Sequence, residues 1–118
     1  MIIEERFVTY VNSLNCKNSD FLDEIEGIAL AKKVPIIRKE TQSLLRILLQ
    51  IKQPKQILEV GTAIGFSALF MEEVNPTESD ITTIENDKNR IAIAHQNFIN
   101  AGKDDLIHLV EGDAQDIL

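Results

Sequence analysis

The chain has 118 residues, of which 44% are hydrophobic and 26% are charged, and its formal net charge is −7. This length allows one domain or part of one, and this composition excludes a disordered or collagen-like chain. The acidity argues against a surface that binds nucleic acid by charge alone, because the chain as a whole repels phosphates.

Three segments in the first half of the chain carry apolar residues at helical spacing. They are residues 7–14, 21–32 and 39–51, and the spacing predicts three amphipathic helices. Pro35 separates the second from the third, and Pro54 ends the third. We expect four leucines on the inner side of the third helix: Leu44, Leu45, Leu48 and Leu49. Residues 1–53 are therefore assigned to a helical lead-in.

The rest of the chain, residues 54–118, consists of short apolar runs between turn signals, which are typical of buried strands alternating with helices. The predicted elements are, in order, a strand at Gln56–Val60, a helix at Phe66–Val74, a strand at 81–85, a helix at 87–101 ended by Gly102, and a strand at 107–110. Strand, helix, strand, helix, strand is a parallel α/β unit with right-handed crossovers.

The loop after the first strand is the strongest functional signal. Residues 57–69 read ILEVGTAIGFSAL, and ligands of open parallel sheets bind beyond the carboxyl ends of the strands. Gly61 allows a sharp exit from the strand, and Gly65 leaves the first amides of the following helix open to a ligand. Glu85 ends the second strand 24 residues after Gly61, where a carboxylate can accept both hydrogen bonds of a ribose diol. The pattern therefore indicates a nucleoside.

The middle of the loop indicates which nucleoside cofactor this is. A dinucleotide fingerprint has a second glycine where this chain has Ala63, so a pyrophosphate is disfavoured. Glu59 at the strand end suits a ligand ammonium group, and Ser67 can donate to a carboxylate. An amino acid joined to a ribose describes S-adenosylmethionine. The plainer alternatives are that the two glycines only shape a turn, that Glu59 caps loop amides, and that Glu85 is a solvent-exposed residue.

Other side chains give weaker signals. Cys16 is the one cysteine, so no intrachain disulfide can form. The first residues lack the pattern of a signal peptide, and no apolar stretch is long enough to span a bilayer, so we expect a cytoplasmic protein. Neither His95 nor His108 is interpreted as a ligand or a base, and no pair of residues shows metal-ligand spacing.

The glycine loop resembles that of the S-adenosylmethionine-dependent O-methyltransferases that include the catechol and caffeoyl-coenzyme A enzymes. Three further blocks are similar to that family in the same order: VPIIRKETQSLLRILL (34–49), TTIEND (82–87) and EGDAQDIL (111–118). Within the family, LEVGTAIGFSA is most similar to bacterial enzymes that methylate the 5-hydroxyl of wobble uridine in transfer RNA. The resemblance implies a Rossmann-like methyltransferase fold with strands in the order 3-2-1.

The resemblance also implies a set of cofactor-binding residues. It implies that the Ile37 backbone meets the methionine end of the cofactor, and that Asp113 and the Ala114 backbone meet the adenine. The plainer alternative for Asp113 is a turn former. With the loop and the ribose strand, the implied set is Ile37, Glu59, Gly61, Thr62, Ala63, Gly65, Ser67, Glu85, Asn86, Asp113 and Ala114.

The resemblance stops at Leu118, before the part of the family fold that carries its metal-binding aspartate and catalytic groups. It therefore implies an N-terminal half that is inactive alone. It also implies that the complete enzyme uses a divalent metal, expected to be magnesium, whose ligands are absent from this chain. The implied partner is a hydroxyl-bearing acceptor, 5-hydroxyuridine in tRNA or a small catechol. We also expect the strand Gln56–Val60 to be an open edge, and the chain to form a dimer or larger assembly. Two alternatives remain, a nucleotide-dependent dehydrogenase and a non-catalytic interaction domain.

Overall fold

The computed structural model describes residues 4–14 and 16–118. Its elements are α1 (Glu5–Ser13), α2 (Asp20–Ala31), α3 (Lys39–Lys52), β1 (Gln56–Val60), α4 (Phe66–Val74), β2 (Asp80–Glu85), α5 (Lys88–Asn100), β3 (Ile107–Glu111) and α6 (Ala114–Ile117). The strands form one parallel sheet in the order β1-β2-β3. The predicted parallel α/β unit and its strand order are therefore confirmed.

The structure bears on the predicted absence of a membrane span but not on the predicted absence of a signal peptide. None of the helices in these two described ranges is both long and apolar enough to cross a membrane. The prediction that the first residues are not a signal peptide rests mainly on residues 1–3, which lie outside the described residues.

Local chemistry explains where the helices begin and end. Asp87 precedes α5, and its carboxylate accepts hydrogen bonds from the backbone N–H groups of Asn89 at 2.9 Å and Arg90 at 3.1 Å. This capping satisfies amides that have no partner inside the helix. At the end of α3, Gln53 takes a left-handed conformation (φ 48°) immediately before Pro54, which cannot continue a helix.

The core lies between the sheet and a single helical layer. The strands follow one another in the order β1-β2-β3, and the right-handed rule for crossovers between parallel strands then places α4 and α5 on the same face of the sheet. Phe66, Phe70 and Phe98 from these two helices are fully buried in the core. The helices α2 and α3 pack against α4 and extend the layer.

The opposite face of the sheet is exposed along β1, although Ile84 of β2, on the same face, is 2% exposed. Residues paired in register point to the same face of a sheet, so Leu58, Thr82 and His108 form one row on this face. Leu58 and Val60 are 58% and 59% exposed. Because β1 pairs only with β2 within this sheet, it is an edge strand with exposed apolar side chains.

The prediction of which leucines lie on the inner side of α3 is partly wrong. Leu49 is buried and Leu45 is half-buried, as expected, but Leu44 and Leu48 are largely exposed. The buried row instead includes Gln42, whose amide donates to the Glu26 carboxylate at 2.8 Å. These polar contacts turn α3 so that residues 42, 45 and 49 face inward, a spacing that also fits a helix.

Candidate cofactor-binding site

The glycine loop lies at the carboxyl ends of β1 and β2, as the sequence predicts. Gly61 has φ 91° and Gly65 has φ 93°, a left-handed conformation that glycine adopts with little strain. The N–H of Gly61 donates to the Ile84 carbonyl at 2.9 Å. A Cβ atom on Gly65 would lie 2.6 Å from Cε1 of Phe98. Gly65 is therefore required both by the backbone and by the close approach of α5.

Glu85 organises this loop. Its Oε2 accepts the backbone N–H of Ala63 at 2.9 Å, and its Oε1 accepts the N–H groups of Asn86 at 3.0 Å and Asp87 at 3.1 Å. Ala63 has φ 50°, which is strained for a residue with a Cβ atom, and the bond to Glu85 helps to hold it there. Glu85 is thus a buried acceptor at the end of β2 and not a solvent-exposed residue.

The hydrogen bonds of Glu85 limit what it can offer a ligand. A carboxylate has about four lone-pair directions, and three N–H groups already use some of them. One hydroxyl of a ribose diol could donate to the remaining lone pair of Glu85. The second hydroxyl could donate only in place of one of the three N–H groups.

Glu59 at the end of β1 lies in a second polar cluster. Its Oε2 accepts the Ser67 hydroxyl, and its Oε1 accepts the Thr83 hydroxyl at 2.7 Å. Thr62 Oγ1 lies 2.7 Å from Thr83 Oγ1, and both threonines are fully buried. Glu59 therefore does not cap the loop amides, which was the plainer alternative, and the donor predicted for a ligand carboxylate is engaged by Glu59.

A small groove opens beside the loop. It has a volume of about 210 Å³, and it is lined by Pro35, Ile36, Ile37, Gly61, Thr62, Ala63, Phe66 and Ser67. The structure thus brings Ile37 next to the predicted loop residues. The Ile37 carbonyl accepts a hydrogen bond from the buried Gln42 amide at 3.1 Å, which fixes this wall of the groove and leaves one carbonyl lone pair free.

The turn predicted to meet the adenine lies next to the end of β2. The N–H of Gly112 donates to the Glu85 carbonyl at 2.9 Å, so the turn and the glycine loop share one end of the sheet. Asp113 is exposed and caps α6 by accepting the Gln115 N–H at 2.8 Å. Asn86 is exposed and Ala114 half-buried. The capping contact matches the turn-former alternative, and the adenine contact stays a prediction.

Metal ligands do not cluster in the part of the chain that is described. There, no group of three or more His, Cys, Asp or Glu side chains is placed to hold an ion. His108 Nε2 lies 3.7 Å from the Asp80 carboxylate, and His95 is exposed. A larger cavity of about 600 Å³ lies between α2, α4 and α5 and is lined by none of the predicted site residues.

Two residues of this site were not expected from the sequence. Thr83 lies in the middle of β2, on the face that packs against the helices, and Gln42 lies on the inner side of α3. A hydroxyl or amide at a position that periodicity assigns to the core is the signal that would have found them, because buried polar groups need partners.

Burial raises the pKa of the Glu59 carboxyl, and the hydroxyls of Ser67 and Thr83 oppose this shift. A carboxyl whose pKa is higher in the folded chain than in the unfolded chain binds its proton more tightly when folded. Its contribution to stability is then complete below its unfolded pKa of about 4.3 and is lost as the pH rises through the folded pKa.

We therefore expect Glu59→Gln, which cannot titrate, to reduce the fall in unfolding free energy as the pH rises from about 4.3. Urea unfolding at several pH values measures this slope. Some slope should remain, because burial also raises the pKa of Glu72. The matched control is Glu73→Gln, at an exposed position of α4. Parallel curves for Glu59→Gln and the unaltered chain would contradict the prediction.

Comparison with known proteins identifies the family. The family model described as O-methyltransferase matches residues 12–118. The catechol O-methyltransferase of Niastella koreensis is 36% identical over 74 residues, which cover 63% of this chain and 34% of that protein.

Two solved structures share the fold over nearly the whole chain. The SAH-bound methyltransferase PaMTH1 of Podospora anserina matches with a TM-score of 0.87 and 25% identity, over 99% of this chain and 53% of that one. The O-methyltransferase TomG of Streptomyces achromogenes, in complex with SAM, matches with a TM-score of 0.80 and 26% identity, over 99% of this chain and 55% of that one. The chain thus spans about a third of the catechol enzyme and about half of these two structures. Because the family model covers most of the chain, this protein belongs to the O-methyltransferase family.

Proposed function

We propose that this chain binds S-adenosylmethionine beside the glycine loop and is the cofactor-binding part of an enzyme that methylates a hydroxyl group. The observation that carries the proposal is a pair of carboxylates on either side of one loop. Glu59 ends β1 next to Ser67, and Glu85 ends β2 bonded to Ala63. Two solved relatives are described as bound to SAH and to SAM, which supports the same class of cofactor here.

Each end of the cofactor would meet a different group of this chain. Glu59 would pair with the ammonium and Glu85 would accept from the ribose. Ser67 would have to release its bond to Glu59 before it could donate to the ligand carboxylate, because a hydroxyl has a single hydrogen to donate. The bound cofactor would supply an electrophilic methyl group, and the role of these residues would be to bind and orient it.

Isothermal titration calorimetry of residues 1–118 with S-adenosylhomocysteine and with NAD tests this proposal. We expect heat from S-adenosylhomocysteine and none from NAD, because a dinucleotide site needs a further glycine at Ala63 and no charge at Glu59. Binding of NAD alone would favour a dehydrogenase. Binding of neither compound would favour a non-catalytic interaction domain.

The proposals for the methyl acceptor and for the metal ion rest on the sequence resemblance. We propose that the acceptor is the 5-hydroxyl of uridine in tRNA, with a small catechol as the alternative that the Niastella koreensis relative favours. A divalent ion, magnesium by the same resemblance, would serve the complete enzyme. The described residues offer no ligand set that fits such an ion, so no step is assigned to it.

Incubation of residues 1–118 with S-adenosylmethionine, Mg²⁺ and each acceptor separates these possibilities. We propose that no methylation occurs, because deprotonating and aligning the acceptor requires groups that the resemblance places beyond this sequence. Methylation of hydroxyuridine or of catechol would overturn the proposal that this chain lacks the catalytic groups, and it would identify the acceptor directly.

A further inference from the structure

The direction of the hydrogen bonds around Glu59 can be derived from donor counting. An ionised carboxylate only accepts hydrogen bonds, and a threonine hydroxyl donates one. Since Thr83 donates to Glu59 Oε1 at 2.7 Å, it has no second hydrogen for Thr62. The Thr62 hydroxyl must therefore be the donor in the 2.7 Å contact with Thr83. The result is a one-way chain of hydroxyl groups that runs from the glycine loop to Glu59.

The two threonine hydroxyls of this hydrogen-bonded row are buried. Thr62 is 1% exposed and Thr83 is 0% exposed, so water cannot replace either hydroxyl without a change in packing. Thr83 faces Glu59 directly in the β1–β2 register. The backbone carbonyl of Thr62 also accepts the Gly65 N–H at 2.9 Å, so one residue shapes the loop and begins the hydroxyl chain.

We propose that Thr83 is a positioning residue that acts through Glu59, holding its carboxylate in the orientation that receives the ammonium group of the cofactor. This inference rests on the proposed function, because it assigns a role within the same site. Thr62 supports Thr83 by filling its acceptor position. Ser67 restrains the other carboxylate oxygen until a ligand carboxylate takes its hydrogen. Thr83 itself touches no ligand in this proposal.

The test compares ligands with and without the ammonium group. S-adenosylhomocysteine carries the amino acid, and 5′-methylthioadenosine keeps the nucleoside and thioether but has no amino acid. We expect Thr83→Val to weaken binding of S-adenosylhomocysteine about 5- to 10-fold and to change binding of 5′-methylthioadenosine less than about 2-fold. Thr83→Ser keeps the hydroxyl and should bind both compounds as the unaltered chain does.

A double-mutant cycle tests whether Thr83 acts through Glu59. In a Glu59→Gln background, Thr83→Val should weaken binding of S-adenosylhomocysteine less than about 2-fold, because the group that it positions has been altered. Thermal unfolding identifies variants that have lost the fold. If Thr83→Val is one of them, Thr62→Val removes the hydroxyl that contacts Thr83 and should weaken binding of S-adenosylhomocysteine more than binding of 5′-methylthioadenosine. Equal weakening of the two compounds by folded Thr62→Val would overturn the positioning role.

The outcomes separate this inference from the function on which it rests. If the unaltered chain binds neither compound, both proposals are overturned. If it binds S-adenosylhomocysteine but Thr83→Val weakens the two compounds equally, or weakens binding fully in the Glu59→Gln background, then Thr83 is only structural and the positioning role is overturned.

Discussion

Replacing Glu85 with alanine should weaken binding of S-adenosylhomocysteine by about 10- to 150-fold, or roughly 1.5 to 3 kcal/mol. The expected loss has two physical sources. The ribose hydroxyls lose a charged acceptor, and the backbone N–H groups of Ala63, Asn86 and Asp87 lose theirs. Because Ala63 is held in a left-handed conformation, the loop should also become less ordered.

Two further variants show which source dominates. Glu85→Gln keeps a carbonyl acceptor for some of the backbone N–H groups but removes the charge, so its loss should be intermediate. Glu111→Ala is the matched control, because Glu111 pairs with Glu85 in the β2–β3 register and is exposed. Calorimetry gives the affinities and circular dichroism gives the fold. An unchanged affinity in folded Glu85→Ala would remove this residue from the site.

The sequence predicts the loop and the sheet because both depend on local chemistry. Gly61 and Gly65 can be recognised by their spacing between a strand and a helix, and the structure finds both in left-handed conformations. The bounds of β1 and α4 are predicted to the residue, because turn residues flank them. Family membership follows from four blocks in order, and the family model confirms it. The tRNA acceptor remains a proposal.

What the sequence did not predict depends on contacts between distant segments. Periodicity identifies the helix α3 but not its rotation, which is set by the Gln42 amide binding Glu26 and the Ile37 carbonyl. The prediction for Ser67 from the sequence alone is also incomplete. Its hydroxyl was predicted to face a ligand, but the partner that it contacts in the structure is Glu59. This pairing depends on how α4 packs against β1, which the sequence pattern does not specify.

Self-association is the second large effect that we expect. The strand β1 lies at the edge of the sheet and has no proline or lysine to discourage pairing. Leu58 and Val60 are exposed on the open face. On α3, Leu44, Ile47, Leu48 and Ile51 recur at helical spacing and are also exposed, so the helical layer carries a second apolar surface.

We propose that a second copy of the chain covers one of these two surfaces, since a two-fold interface needs only one self-complementary patch. Sedimentation velocity at micromolar concentration should then show a dimer or a larger assembly and not a 13.3 kDa monomer.

Leu58→Lys should give a monomer if the strand edge pairs, because it places a charge in the contact. Ile47→Lys should do so if the helix faces pair. His108→Lys, on the same face at the opposite edge strand β3, is the control and should leave the assembly intact. A monomeric unaltered chain would contradict the proposal, and slow exchange of the Gln56–Val60 amides in that monomer would show that the edge is protected without a partner copy.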